Sequence, residues 1–547
     1  MLIDARTLPQ GTDLQADLCI VGGGPAGITL ALQLIGQPLK VCLLESGGLK
    51  REVETQALYD CDNVGHPYPK LPETRSRLLG GSSNCWAGNC RKLNAIDFEE
   101  RAWVEHSGWP IGRPELDAHY EEAHRICQLG PFTYDVEDWE YGHARQLPLD
   151  AARLITRINQ FSPPTRFSTV YRDDLVRAPN MRMLLHANVT EIEATEDGRT
   201  ATRAQVASLH GPRFSVSARY FVLATGGLEN ARLLLLSDSV VPGGLGNQHD
   251  LVGRFFMEHF TVSLGLQPVS PRQMHDMDLY EIPERRLGRQ PVRETRAKAY
   301  LELAAEAQRR EQLSSATVTL ERLWQHPTQQ SPGYAALREL VTGAPPRDVA
   351  RQVGRTLRGL DDVATGLFWK LLRSYHPVPY LECILQMEQV PNPLSRATLT
   401  DRRDALGQRR VRLDWQLLPD DFRSIRRVAA ILGEELGRLG MRPFINTLDA
   451  DDNVMAHDIE GTWHHIGTTR MSRCPTRGVV DPDCRVHGMS NLFMAGSSVF
   501  PTSGHSVPTL TIVAMAVRMG AHLRELLGGV ERGDDLREAD LAARVVN

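Results

Sequence analysis

The chain has 547 residues, a formal net charge of -5, 41% hydrophobic and 24% charged residues. This length suits two or more domains at ~100–200 residues each, and the slightly acidic balance gives no reason to expect binding to nucleic acid or an anionic membrane. No apolar run reaches the ~18 residues of a spanning helix, and Met1-Leu-Ile-Asp-Ala-Arg6 lacks a signal pattern, so a cytoplasmic protein is expected. The first predicted element is a buried parallel strand over Leu18–Val21, an apolar run that ends in glycines. Gly22, Gly24 and Gly27 then fit G-x-G-x-x-G: one glycine for the turn, one for approach to a pyrophosphate, one for close helix packing. A helix is expected over Ala26–Leu34, with its first amides aimed at phosphate. Val41–Leu44 is the next strand, and Glu45 stands at its end, where a carboxylate can bond ribose hydroxyls. Arg77-Leu-Leu-Gly-Gly-Ser-Ser83 is a second glycine turn. Phe221–Arg232 reads as strand, turn and helix start, the pattern that returns a chain to a nucleotide domain. Val349–Leu372 has amphipathic helical spacing; it packs on the domain or serves as a membrane-docking or subunit-contact helix. Tyr380–Gln389 alternates like a strand, Arg410–Trp415 reads as another, and Asp420–Leu439 has helical apolar spacing. The chain then carries His464-His-Ile-Gly-Thr468 and Val499-Phe-Pro-Thr-Ser-Gly-His-Ser-Val-Pro-Thr-Leu-Thr511.

Further ordered motifs are Gly80-Gly-Ser-Ser-Asn-Cys-Trp86, Ser107-Gly-Trp-Pro-Ile111, Ala224-Thr-Gly-Gly-Leu-Glu229, Gly253-Arg-Phe-Phe-Met-Glu-His259, Val390-Pro-Asn-Pro393, Gly478-Val-Val-Asp481, Arg485-Val-His-Gly488 and Asn491-Leu-Phe-Met-Ala-Gly-Ser497. Over nearly its whole length the sequence resembles the bacterial glucose-methanol-choline (GMC) oxidoreductases, leaning to the pyranose-oxidase-like, sugar-oxidising branch. The resemblance implies FAD and an α/β fold: a discontinuous Rossmann-like FAD-binding domain (14–110, 166–259, 459–530) and a substrate domain with an antiparallel sheet and helices (111–165, 260–458). It implies that Gly22, Gly24 and Gly27 hold the pyrophosphate and Glu45 the ribose. Gly80, Gly81, Ser82, Ser83 and Asn84 would run along the isoalloxazine and phosphates, and Val189 would meet the adenine through its backbone. Gly496 and Ser497 would contact the pyrophosphate or ribityl chain. Pro508 and Thr509 would open a flavin-facing helix.

Alcohol oxidation needs a base for the hydroxyl proton while hydride leaves carbon, and an imidazole with an ordinary pKa of ~6.5 suits it. In the family this histidine stands three residues before Gly-Thr, which here is His464. In an extended segment the neighbouring His465 faces the other side; a structural histidine is the alternative. The family's second polar residue falls at Val507, which neither donates nor accepts. His505, two residues earlier, either supplies a ring from a shifted position or anchors the loop. Cys85 stands where some sugar-oxidising relatives carry a flavin-linked histidine; it is read as a small buried side chain near the flavin, with a covalent thioether as the alternative. Nine cysteines without metal spacing predict neither a disulfide framework nor a metal site. The expected reaction is FAD-dependent oxidation of a CH–OH group of a sugar, cyclitol or biosynthetic alcohol. A redox-neutral or light-driven lyase or decarboxylase is the alternative that Val507 motivates. Expected partners are a small-molecule alcohol, an electron acceptor (oxygen or another carrier) and, in a homo-oligomer, a second copy of the chain.

Overall fold

Two eight-stranded sheets organise the chain in this computed structural model, which describes residues 1–281, 295–323, parts of 333–367, 380–448 and 458–545. The first sheet has the spatial order Leu2–Asp4, Met181–Leu185, Val41–Leu44, Asp13–Val21, Arg213–Leu223, Ala201–Ala207, Asn188–Ala194. Its first five strands are parallel, and Leu492–Met494 adds in parallel to Arg213–Leu223. The last two strands are antiparallel. Leu18–Val21 and all of Val41–Leu44 are buried, the continuous apolar run of a parallel strand covered on both faces. Helix α1 (Pro25–Leu32) follows the first glycine turn, with Pro25 in its first turn, where the missing N–H costs nothing. A Cβ on Gly27 would lie 1.9 Å from the Gly22 carbonyl oxygen, so only glycine lets α1 sit down on the turn. The helix stops short of the expected Leu34 because Leu34 and Ile35 bond back three residues in tighter turns.

The second sheet is antiparallel, in the order Ile445–Asn446, His259–Pro268, Tyr380–Glu388, Ala316–Leu323, Arg296–Leu303, Leu154–Phe161, Asn89–Cys90. Along Tyr380–Glu388 the side chains of Leu381, Cys383, Leu385 and Met387 are buried, the two-residue period of a strand. Besides α1, three helices matter for the site: α2 (Arg113–Ile126), α3 (Pro419–Arg438) and α4 (Thr509–Val545). Helix α3 buries Ile425, Val428, Ile431, Leu432 and Leu436 in the core of this sheet, and α4 packs against α1 and α2.

Three local readings change. The strand expected at Arg410–Trp415 is Arg409–Asp414, and it joins Arg396–Arg403 and Cys61–Asn63 in a separate three-stranded sheet. Asn89–Cys90, placed by sequence in the nucleotide segment, pairs with Leu154–Phe161 at the edge of the antiparallel sheet. The amphipathic segment is helical over Val349–Arg358 and exposes Val353 and Leu357; its end at 368–372 lies outside the described residues. Among the described residues no helix is long and apolar enough to cross a membrane.

Candidate active site

Four parallel strands end at Val21, Leu44, Leu223 and Met494, and the loops that leave them line one cavity of about 540 Å³. This is the crevice at the carboxyl ends of strands where open α/β sheets bind ligands. Of the residues expected to bind a cofactor, Gly22, Gly24, Glu45, Gly81, Ser82, Ser83, Cys85, Val189, Gly496, Ser497, Pro508 and Thr509 line it. Gly27, Gly80 and Asn84 stand behind the lining. Gly27 seats α1. Gly80 donates its N–H to the Gly23 carbonyl at 2.7 Å, and the Asn84 amide donates to the carbonyls of Leu79 and Gly81 at 2.9 Å, which holds the second turn closed. The Glu45 carboxylate accepts from the N–H of Gly23 (2.9 Å) and Gly47 (2.7 Å), while burial pushes its pKa up. A Cβ added at Gly24 or Gly496 would meet no atom within 4 Å and would project into the cavity, a bare-backbone cradle of the kind a pyrophosphate needs. Helix α4 begins at Thr509, so its unpaired amides and positive end open on the same space.

The cradle has a charged floor that the sequence reading missed. Arg77 and Arg232 reach Glu229 at 2.9 and 3.3 Å, Arg75 lies 3.1 Å from it, and the Tyr59 ring sits beneath the guanidinium groups of Arg75 and Arg77. Burial alone would raise the Glu229 pKa; Arg232, Arg75 and Arg77 overcome it and hold the carboxyl at about 2. The signal lay in the motifs: Arg75 and Arg77 precede the second glycine turn, and Glu229 closes Ala224-Thr-Gly-Gly-Leu-Glu229.

The histidines are placed by an irregular strand pair. Phe260 pairs with Gly461, and Met257 bridges to Ile466. Residues 258–259 therefore face residues 462–465, and the surplus bulges outward, a device that re-aims side chains beside active sites. The bulge takes Trp463 into the left-handed region at φ 68°. Glu258, fully buried, gathers it: one carboxyl oxygen accepts from the amides of Thr462 and His464 at 3.0 Å, the Trp463 amide adds to them, and the Tyr68 hydroxyl lies 2.5 Å from the other oxygen. Burial outweighs these donors and pushes the Glu258 pKa up to about 8.

His464 Nδ1 lies 2.9 Å from His259 Nδ1 and 2.8 Å from the Thr462 hydroxyl oxygen. His259 Nε2 lies 2.8 Å from the Gly504 carbonyl, which only accepts, so Nε2 carries the proton of His259. Burial holds His259 neutral, with its pKa pushed down to about 4, so its Nδ1 is an acceptor. His464 Nδ1 must then donate, and the lone pair of His464 is on Nε2. His464 lines the cavity, and burial, then His259 and His465, push its pKa well below the usual imidazole value. His465 also lines the cavity, with its ring turned to Tyr68. Its Nε2 lies 3.0 Å from the Tyr68 hydroxyl.

His505 does not line the cavity; Val507 does. The His505 ring is buried with Nε2 3.1 Å from Glu302, a carboxylate already paired with Arg91, and its backbone carbonyl accepts from Gln386 at 2.8 Å. Anchorage in this buried ionic layer accounts for the ring position and speaks against a shifted catalytic role. His259, contacting His464 from a different strand, is the ring that sequence reasoning left without a role. Cys85 also departs from expectation. It is exposed, with Sγ 3.4 Å from the Ser82 carbonyl, and it lines the cavity. Among the described residues one group, His143, His275 and Asp278, has side-chain ligand atoms within 4.8 Å of one another. Its imidazoles stack at 3.7 Å and 19°, so their in-plane lone pairs do not converge on one ion.

A family model described as FAD dependent oxidoreductase matches residues 17–245, and one described as GMC oxidoreductase matches residues 391–516. The chain is thus similar to the GMC oxidoreductases in its C-terminal part and to FAD dependent oxidoreductases in its N-terminal part. It is 24% identical to 2-methyl-1,2-propanediol dehydrogenase of Mycolicibacterium austroafricanum, covering 93% of this chain and 95% of that protein. It is also 24% identical to 6'''-hydroxyparomomycin C oxidase of Streptomyces lividus, over 93% and 91%. Among solved structures, pyridoxine 4-oxidase from Mesorbium loti is 18% identical with a TM-score of 0.54 over 92% of this chain and 98% of that one, a likeness of fold. The chain is an FAD-dependent enzyme that oxidises CH–OH groups. FAD, when bound, supplies the hydride acceptor; the glycine cradle, Glu45 and the start of α4 are the groups that fit it.

Proposed function

We propose that this enzyme oxidises a ring CH–OH of a sugar, a cyclitol or a related biosynthetic alcohol, with His464 Nε2 taking the hydroxyl proton. The observation that carries the reading is the hydrogen-bond chain from the Gly504 carbonyl through His259 to His464 Nδ1. It fixes the tautomer that leaves Nε2 free in His464, one of the two histidines that line the cavity. The depressed pKa of His464 keeps that lone pair available at neutral pH. Glu258 holds the peptide of His464, so the ring is presented in one orientation. Val507 gives an apolar wall where a second polar group was expected, and the site works as a single base backed by a second imidazole. Gly22, Gly24, Glu45, Val189, Gly496 and Ser497 are the residues proposed to hold the dinucleotide. C-glycoside 3-oxidase of Microbacterium trichothecenolyticum, 24% identical over 82% of this chain and 76% of that protein, supports a ring substrate by its name. Redox-neutral or light-driven lyase chemistry finds no support among the relatives named above. Anaerobic mixing of the purified holoenzyme with methyl glycosides, cyclitols and open-chain diols tests the proposal. Bleaching of the flavin absorbance by a ring substrate is expected. Turnover without bleaching would overturn it.

A further inference from the structure

Trp463 is 49% exposed, yet it is not a stray surface residue. It lines the cavity next to His464 and holds a left-handed backbone at φ 68°, a conformation that a bulky residue rarely adopts. Such strain persists only where the surroundings enforce it, and it concentrates at ligand sites. Here the enforcement is visible: the buried Glu258 carboxylate grips the amides on both sides of Trp463. The bulge therefore sends two consecutive side chains to separate tasks. His464 is turned inward onto His259, and the indole is left on the solvent side of the same cavity.

Resting on the ring-substrate reading above, we propose that Trp463 is a specificity-determining residue, a stacking platform for the apolar face of a cyclic polyol while its hydroxyl is presented to His464. The face of an indole is electron-rich and flat, and the C–H face of a pyranose or cyclitol is flat and weakly positive. Open-chain diols offer no such face. The platform acts through binding, so its loss raises KM for rings more than it lowers the rate of the bound complex.

The test uses holoenzyme at matched flavin content: wild type, Trp463→Ala and Trp463→Phe. Anaerobic flavin reduction is followed with methyl β-glucopyranoside and myo-inositol as rings and with 1,2-propanediol as the open chain. In Trp463→Ala the ratio of ring to open-chain kcat/KM should fall about 10- to 100-fold, carried mainly by KM, and Trp463→Phe should restore most of it. An unchanged ratio, or equal losses on both classes, overturns the platform while leaving a ring substrate intact. Wild type that takes only the open chain overturns the ring-substrate reading and the platform with it. Should neither class reduce the flavin, calorimetric titration with methyl β-glucopyranoside decides: binding weakened in Trp463→Ala supports the platform, and equal or absent binding overturns it.

Discussion

Glu258→Gln separates the charge of the buried carboxyl from its shape. The fully buried carboxyl accepts from the amides of Thr462, Trp463 and His464, and one of its oxygens meets the Tyr68 hydroxyl at 2.5 Å. A glutamine fits the same space, with its oxygen toward the amides and its NH2 toward the Tyr68 oxygen, so the bulge is retained. The consequence is in pH dependence. The pKa rises from 4.5 to about 8 on folding. Between those values the unfolded chain has lost this proton and the folded chain keeps it, so stability falls as pH rises. The stabilisation is fully present below pH 4.5 and lost by pH 8. At 1.36 kcal/mol per unit, the shift amounts to about 5 kcal/mol across that window. Denaturant unfolding at matched flavin occupancy, from pH 5 to 8.5, measures it. The stability of wild type relative to Glu258→Gln should decline over the window. Parallel curves for the two proteins would refute a carboxyl that stays protonated at neutral pH.

His464→Ala should slow flavin reduction by ~10²- to 10⁴-fold and leave flavin bound, as absorbance and stopped-flow kinetics will read. Because the His464 pKa lies well below 6.5, kcat/KM should be flat from pH 7 upward and fall only on the acid side, as the base takes a proton; an acid limb centred above pH 7 would contradict this. His505→Ala should spare the chemistry and cost roughly 1–3 kcal/mol in denaturant unfolding, since it strips a partner from buried Glu302. Arg101→Met leaves Glu388, fully buried like Arg101, without its bidentate partner, and should cost about 3–5 kcal/mol by the same measurement.

The nucleotide end was legible because its requirements fall on the backbone. A glycine that must lie against a carbonyl, as Gly27 does against Gly22, leaves a mark at one position, and strands covered on both faces read as unbroken apolar runs. His464 was legible through its spacing to Gly-Thr. The rest of the site depends on pairings that sequence order hides. His259 lies 205 residues from His464, and the pairing of Phe260 with Gly461 and of Met257 with Ile466 brings them together. Tyr68 reaches Glu258 across 190 residues from a loop with no motif of its own. His505 misled because it lies two residues from Val507 in a loop that does border the cavity. Gly504 and His505 are tied to Glu388 and Glu302, and such buried carboxylates leave no periodic signature.

Val507 raised the question of whether the site keeps enough polar groups for alcohol oxidation, and proton accounting answers it. One hydroxyl proton must leave the substrate, and His464 Nε2 can take it. The chain behind His464 ends on the Gly504 carbonyl, which cannot accept that proton. In the proposed mechanism His259 is a positioning residue: it accepts the Nδ1–H bond that fixes the tautomer. A second polar group at 507 would add a hydrogen bond to the substrate oxygen, but it would not replace the base. In the proposed mechanism the two positions contribute separable effects: His464 governs whether the proton leaves, and residue 507 governs how tightly the oxygen is held beforehand. A valine there trades hydroxyl affinity for an apolar wall, which suits a substrate positioned by its ring face as much as by its hydroxyls.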